Sequence, residues 1–400
     1  MNFMFLYIKI YPKPDTQRKI IFNMKTKILF IILIFLSGKL FCQDITRRLD
    51  SLLNVYYQNE EPGIAITIKA NDRIIFKKTY GLANLETKDK ISLSTNFNIG
   101  SITKQFTAFC ILQLEQQGRL SLTDKLIKFF PAFNPKVGNA ITLRQMLTHS
   151  SGIIDHYSYT DTSLVRHATD KDVLAAVKNI DSTYFVPGTH YRYSNTAYCL
   201  LALIIEKLSG TSYADYVRKN IFLPLSMNHS KVLKIGDPID RQAIGYDLAE
   251  NNNSTKKIFN RLDASESIFF STEGDGGIYT SMDDYLKWFH ALESGTILNK
   301  SLVQKARSSE FLIDTLNRLS YGYGWFIKEN KTSKSVYHTG SNGGFRAIVF
   351  SIPSEKYAVI IFSNRTGVDL ENLVQEINNL LHIDHKSFIK IESLVAFIDS

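Results

Sequence analysis

Apolar residues recur every three to four positions over 44–58, which predicts an amphipathic first helix. The rhythm then shortens to alternation. Ile64-Ala65-Ile66-Thr67-Ile68 and Ile74-Ile75-Phe76 read as strands, joined at the hairpin signal Asn71-Asp72. Helical spacing returns with Phe106, Phe109, Cys110, Leu112 and Leu114, and Gly118 stops it. Residues 120–300 read as mostly helical runs at Leu143–Leu147, Val173–Val177, Thr196–Leu208 and Met282–Leu292. Gly152, Gly188, Gly210 and the pair Gly276-Gly277 punctuate them. Alternation reappears near 322–328, 335–338, 345–352 and 357–363, and a last helix is expected over 369–381. Strands at both ends with helices between predict an α/β (α+β) fold. Its antiparallel sheet is flanked by helices and built from both termini, with an inserted helical lobe over 120–300. A ligand site is expected in the cleft between lobes.

The first 42 residues stand apart from this pattern. Met24-Lys25-Thr26-Lys27 is a positive segment, Ile28 to Leu36 an apolar core, and Ser37-Gly38 and Leu40-Phe41-Cys42 follow. That order predicts a secretory signal peptide over 24–42, too short for a stable membrane span. Residues 1–23 hold Pro12, Pro14 and scattered charge, so translation is expected to begin at Met24 and 1–23 to be an over-extended start. Bulky Phe41 before Cys42 favours cleavage over lipid attachment to Cys42. The expected product is exported, periplasmic or secreted: one domain over 43–382 and a tail, 383–400, of no legible role. Residues 1–23 carry four positive and one negative charge and residues 24–42 three positive, so the formal +9 falls to +3 without them. A near-neutral body gives no electrostatic case for nucleic acid. The 12% aromatic content then reads as core. Cys110 and Cys199 lie in apolar helical runs and are expected to be buried free thiols. The cluster His149, Asp155, His156 lacks metal-ligand framing and reads as structural, with no metal or cofactor expected.

Chemistry concentrates in three short segments. Ser101-Ile102-Thr103-Lys104 places a hydroxyl and an amine three residues apart where an apolar helix begins. Positions i and i+3 share a helix face, so Lys104 can reach Ser101, and the helix N-terminus favours developing negative charge. Ser-x-x-Lys arises by chance about one to two times in a chain this long. Two further copies begin at Ser254 and Ser387, in a polar loop and in the tail. A capping serine is the other reading of Ser101. Tyr193-Ser194-Asn195 follows Pro187-Gly188 and precedes a helix. A tyrosine beside an amine can act as a general base, and an Asn amide can hold a substrate amide. The same segment also reads as an ordinary helix cap, and Tyr57-Gln58-Asn59 matches it by chance. His338-Thr339-Gly340 ends an expected edge strand, with Ser341-Asn342-Gly343-Gly344 next. Gly allows close backbone approach, and the Ser341 N–H could join that of Ser101 in an oxyanion hole. A lone strand His is otherwise a satisfied core or edge residue.

With these elements in this order, the chain resembles the serine β-lactamase and penicillin-binding-protein superfamily. The branch is that of class C β-lactamase-related DD-peptidases and esterase-like hydrolases, whose motifs are Ser-x-x-Lys, Tyr-x-Asn and Lys- or His-Thr-Gly. The resemblance runs from about Asp44 to Leu381. It includes the run Ile141-Thr142-Leu143-Arg144-Gln145-Met146-Leu147-Thr148-His149-Ser150-Ser151-Gly152, and Tyr279-Thr280-Ser281-Met282-Asp283-Asp284. It implies a β-lactamase/transpeptidase-like fold and an exported serine hydrolase forming an acyl-enzyme on amide, β-lactam or ester bonds. D-amino-acid peptides are the leading substrates; carboxylic ester hydrolysis and weak β-lactamase activity are alternatives. A non-catalytic cell-wall peptide or β-lactam binding protein is the remaining class. The resemblance makes Ser101 the nucleophile, Lys104 its proton-handling partner and Tyr193 the base and later acid. Asn195, His338, Thr339 and Gly340 would bind substrate, and the Ser101 and Ser341 N–H groups would form the oxyanion hole. His338 stands where most β-lactamases have Lys, and a neutral imidazole holds a carboxylate less firmly. The expected partner is a small-molecule or peptide substrate; the oligomeric state is open.

Overall fold

The computed structural model describes residues 45–159, 167–234, 236–249, 257–262, 271–295, 300–329 and 333–383. The expected leader, Cys42, Ser254, Ser387 and the tail beyond 383 lie outside the described residues. The chain divides into two compact units, 1–54 and 55–400. In the first, the described residues are helical; everything below concerns the second.

The alternating segments form strands, and their ends follow from turn chemistry. β1 (Ile64–Ala70) and β2 (Arg73–Tyr80) are joined by Asn71 and Asp72, both left-handed at φ 50° and 61°. That pair of positive φ values is the two-residue turn whose twist matches antiparallel strands, and Asn and Asp tolerate it. β3 (Phe97–Asn98), β4 (Lys231–Val232), β5 (Tyr246–Ala249), β6 (Ile258–Arg261) and β7 (Ile278–Thr280) are short. β8 (Phe311–Asp314), β9 (Leu319–Tyr321), β10 (Phe326–Glu329), β11 (Lys334–Asn342), β12 (Phe345–Ile352) and β13 (Tyr357–Ser363) follow. The main sheet runs β2-β1-β13-β12-β11-β10-β9-β8, so strands from both ends of the chain meet at the β1–β13 pairing, Ile64 opposite Ser363.

β13 is buried along its whole length because helices cover both faces. Its residues alternate between faces. Tyr357 donates to Asn378 Oδ1 (2.7 Å) in the last helix, Leu370–Leu380, while Phe362 packs edge-on against Tyr285 (5.3 Å) in the helix Met282–Ser294. Between the sheet and the helical lobe runs Thr103–Gln116, buried on nearly every side, with Phe106 stacked on Trp288 at 4.3 Å. A helix buried all round is a central one. It fixes whatever its N-terminus carries.

The lobe differs from its sequence reading in one respect. Alongside helices such as Asp170–Val177 and Asn195–Ser209 it contains a three-stranded sheet, β3-β7-β4, and the β5–β6 hairpin. Strands of two to four residues are too short for a period-two count to register. Cys110 and Cys199 are buried free thiols. No helix among the described residues is long and apolar enough to cross a membrane.

Candidate active site

Ser101 sits in a single tight turn, Gly100–Ile102, leading into Thr103–Gln116. Its side chain caps neither element, so the capping alternative does not describe it. The hydroxyl instead accepts a hydrogen bond from Lys104 Nζ at 3.1 Å. Lys104 is fully buried and donates twice more, to Asn195 Oδ1 (2.7 Å) and to the Asp275 carbonyl (2.9 Å). An ammonium has three protons and no acceptor, and all three are committed here.

Tyr193 lies over this ammonium, with Nζ 4.8 Å from its ring centre. Its hydroxyl is buried and meets no hydrogen-bond partner among the described residues. The next residue, Ser194, caps the helix Asn195–Ser209 by accepting from the Ala197 N–H (3.1 Å). Ser194 thus satisfies the helix end, and Tyr193 and Asn195 on either side of it are free to face Lys104. Asn195 also donates through Nδ2 to the Tyr157 hydroxyl at 2.9 Å.

His149 clamps this loop. Its carbonyl accepts from the Arg192 N–H (2.9 Å) and its Nδ1 from the Ser194 N–H (3.0 Å), one residue either side of Tyr193. The imidazole ring lies 4.2 Å from the Tyr193 ring. Because Nδ1 accepts, the ring proton is on Nε2, and burial together with the Lys104 charge pushes the imidazole pKa well below its usual range. His149 is therefore a neutral support for Tyr193.

The third segment forms the far half of β11. That strand pairs with β10 only through Tyr337, so His338–Asn342 have β12 on one side and no strand on the other. The Ser101 turn occupies the neighbouring space. A Cβ at Gly340 would fall 2.0 Å from the Ile99 carbonyl oxygen and 3.4 Å from the Ser101 nitrogen. One at Gly100 would fall 2.6 Å from the Ser341 nitrogen. Two glycines thus bring the Ser101 and Ser341 amides to one place. His338, on the same pleat face as Gly340, is 1% exposed and fully engaged. Nδ1–H donates to the Thr339 carbonyl (2.6 Å), so Nε2 accepts from the Tyr321 hydroxyl (2.8 Å). Burial and Lys104 pull its pKa down to about 3, which leaves a neutral ring with neither nitrogen free for a substrate carboxylate. Thr339 is half-buried on the opposite face and is tied in through that carbonyl.

Behind Lys104 lies a feature the sequence did not signal. Asp170, Cys199 and Asp275 are buried with donor atoms within 4.8 Å of one another. Asp170 accepts from the Glu273 and Gly274 N–H groups (both 3.1 Å), which sets the loop whose next carbonyl, Asp275, receives Lys104. Burial and the neighbouring acids push the Asp170 pKa well up, and burial does the same to the Cys199 thiol. Asp170 and Cys199 are thus poised to keep their protons, which suits a loop clamp better than a cation cage. Tyr157, Tyr321 and Asp170 carry no local motif. His149 alone had a signal, lying in the Thr148-His149-Ser150 run.

The family model described as Beta-lactamase matches residues 44–381. Protein flp of Staphylococcus aureus (strain N315) is 28% identical over 358 residues, 88% of this chain and 69% of that one. A penicillin-binding protein of Bacillus subtilis (strain 168) is 29% identical over 312 residues, 76% of this chain and 68% of that one. Among solved structures, the octameric penicillin-binding protein homologue from Pyrococcus abyssi superposes with a TM-score of 0.72 at 28% identity. The match covers 85% of this chain and 77% of that one. The D-amino acid amidase of Ochrobactrum anthropi shares the fold at a TM-score of 0.69 and 22% identity, over 85% of this chain and 98% of that one.

Proposed function

Because the chain belongs to the Beta-lactamase family, we propose that it is an exported serine hydrolase working through an acyl-enzyme, with D-amino-acid peptide amides as its leading substrates. The observation that carries this reading is Lys104, whose three protons bind Ser101 Oγ, Asn195 Oδ1 and the Asp275 carbonyl. A fully committed ammonium cannot take the serine proton, so the base is Tyr193, whose hydroxyl has no partner of its own. In this reading Ser101 Oγ attacks the substrate carbonyl carbon while its proton passes to the Tyr193 oxygen, acting as base beside the Lys104 charge. The Ser101 and Ser341 N–H groups receive the oxyanion. Tyr193 returns the proton to the leaving nitrogen or oxygen as the acyl bond breaks, and Ser101 is left esterified. Water then gives a proton to Tyr193 and adds to the ester, and Ser101 leaves with that proton.

A second reading, carboxylic ester hydrolysis, is favoured by His338. A neutral ring with both nitrogens engaged offers no cation to a substrate carboxylate, so uncharged acyl donors suit the site better than classical β-lactams. The test is incubation of the full chain with a fluorescent penicillin, followed by peptide mapping. A covalent adduct on Ser101 is expected, and an adduct on Ser254 or Ser387 would overturn the assignment. D-Ala-D-Ala peptides, nitrocefin and p-nitrophenyl esters, assayed side by side with Ser101→Ala as blank, then rank the acyl donors. Export is tested by N-terminal sequencing of the processed product, with a new terminus expected close to Cys42.

A further inference from the structure

A cavity of about 800 Å3 opens at the other end of β11, next to Lys334 and Val336. At the ~3.3 Å rise of a strand residue, Val336 lies roughly 13 Å along β11 from Gly340. The Ser101 turn does not line it. Its walls include Leu292, Val303, Val336 and Pro353. One wall residue is chemically out of place among them. Arg307 is only 9% exposed, and its Nε and Nη2 are sealed from solvent with no hydrogen-bond partner among the described residues. No carboxylate of the described residues stands within ion-pair distance of it. Its guanidinium lies 4.4 Å from the Trp325 ring centre and 5.7 Å from that of Phe289. Aromatic faces hold a cation in place but accept none of its five N–H donors in the guanidinium plane. Burial pulls the Arg307 pKa down only to about 10, so the charge persists at neutral pH.

Among the described residues the surrounding acids are engaged elsewhere or exposed, and Glu293 acts on this cation only from beyond ion-pair distance. On the rim, Asp72 is held by Lys356 and Glu293 by Lys69. Glu329 is exposed, while Lys300 and Lys334 add positive charge at the mouth. A buried charge without a counter-charge is costly, and it is kept where something binds it. We infer that this cavity is a second ligand site, which takes a small monoanionic amphiphile with its carboxylate on Arg307 and its aliphatic body along Leu292, Val303 and Val336. One buried unpaired cation matches one negative charge, and the apolar walls match a hydrocarbon body rather than bare phosphate. The site does not depend on what Ser101 acylates.

Titration calorimetry on the full chain carrying Ser101→Ala, with hexanoate as probe, tests it. Saturable one-to-one binding is expected, at least tenfold weaker for hexanamide and for inorganic phosphate. Arg307→Met is expected to weaken hexanoate at least tenfold, and Arg307→Lys to weaken it less. A readout without substitutions at the cavity is modification of Arg307 by phenylglyoxal, followed by mass spectrometry, which hexanoate should slow at least fivefold. No saturable hexanoate binding, equal affinity in a folded Arg307→Met variant, or no protection of Arg307 overturns the inference. Phosphate binding as tight as hexanoate overturns its ligand class.

Discussion

Gly340→Ala isolates the close approach between β11 and the Ser101 turn. The added Cβ would sit 2.0 Å from the Ile99 carbonyl oxygen, where contacts below 3.0 Å are essentially never seen. The two backbones must therefore part by about 1 Å, since the obstructing atom is main chain and cannot rotate aside. Neither side yields easily. Ile99 is tied to the Ile278 carbonyl (3.0 Å), Gly100 N–H to Asn98 Oδ1 (2.7 Å), and β11 to β12 through Asn342. A displacement of about 1 Å between reacting groups costs about 10²-fold in rate, equivalent to about 2.7 kcal/mol. Overpacking should also lower stability by about 1–3 kcal/mol. The assay is the second-order rate of Ser101 acylation by a fluorescent penicillin, beside a thermal melt. Gly118→Ala serves as control: its φ of +70° is strained by a side chain, but nothing lies within 4 Å. It should lose stability and keep its acylation rate. Acylation of Gly340→Ala within threefold of the parent would refute the geometric argument.

Other substitutions separate the remaining parts. Tyr193→Phe should lower turnover by about 10²–10⁴ with an unchanged melt, the range for losing a positioned acid–base group; near-parental turnover would remove Tyr193 from the proton path. Asp170→Ala leaves the Glu273 and Gly274 N–H groups without acceptors, at about 1–3 kcal/mol, and should slow acylation by loosening the Asp275 carbonyl from Lys104. Asp170→Asn keeps one acceptor for the two N–H groups and should recover part of both losses, and equal behaviour of the two variants would discard the clamp. His338, with a folded pKa of about 3 against an ordinary 6.5, gives a pH dependence of definite sign. Below pH 6.5 the unfolded chain binds a proton that the folded chain refuses, so stability falls as pH drops toward 3 and is complete above 6.5. By pH 5 the loss is about 2 kcal/mol. Urea midpoints at pH 7 and pH 5 should show a smaller drop in His338→Gln than in the parent, and identical drops would show that His338 is not the group responsible. Glu273, raised to about 7, acts in the opposite sense between pH 4.5 and 7 in both proteins.

What could be read from the sequence is what depends on neighbours in the chain. The β1–β2 hairpin was legible because Asn71-Asp72 supply the turn, and the central helix because its apolar spacing is long. β8 and β9 pair with each other, yet they and the short strands of the lobe have too few residues to show a period. At the site, Ser101 and Lys104 share one helix end, so their contact followed from spacing. The capping reading of Tyr193-Ser194-Asn195 was sound, since Ser194 caps, and the residues on either side of it face Lys104. The reading of His338 as a satisfied strand residue was equally sound, with Tyr321 and Thr339 as its partners. Tyr157, Tyr321 and Asp170 act across gaps no local pattern spans. Their roles rest on hydrogen bonds that exist only once the lobe has closed on the sheet.

The pairing of β1 with β13 also imposes an order in time. Ser101 emerges early in synthesis, whereas the Gly340 and Ser341 backbone it needs belongs to a strand flanked by β12, itself paired with β13. Contacts so distant in sequence close late and slowly. A nascent or truncated chain ending before Phe345 holds the serine, its lysine and Ser341, but not the β12 strand that holds the Ser341 amide in place. The site is therefore incomplete until β12 and β13 have been made and paired.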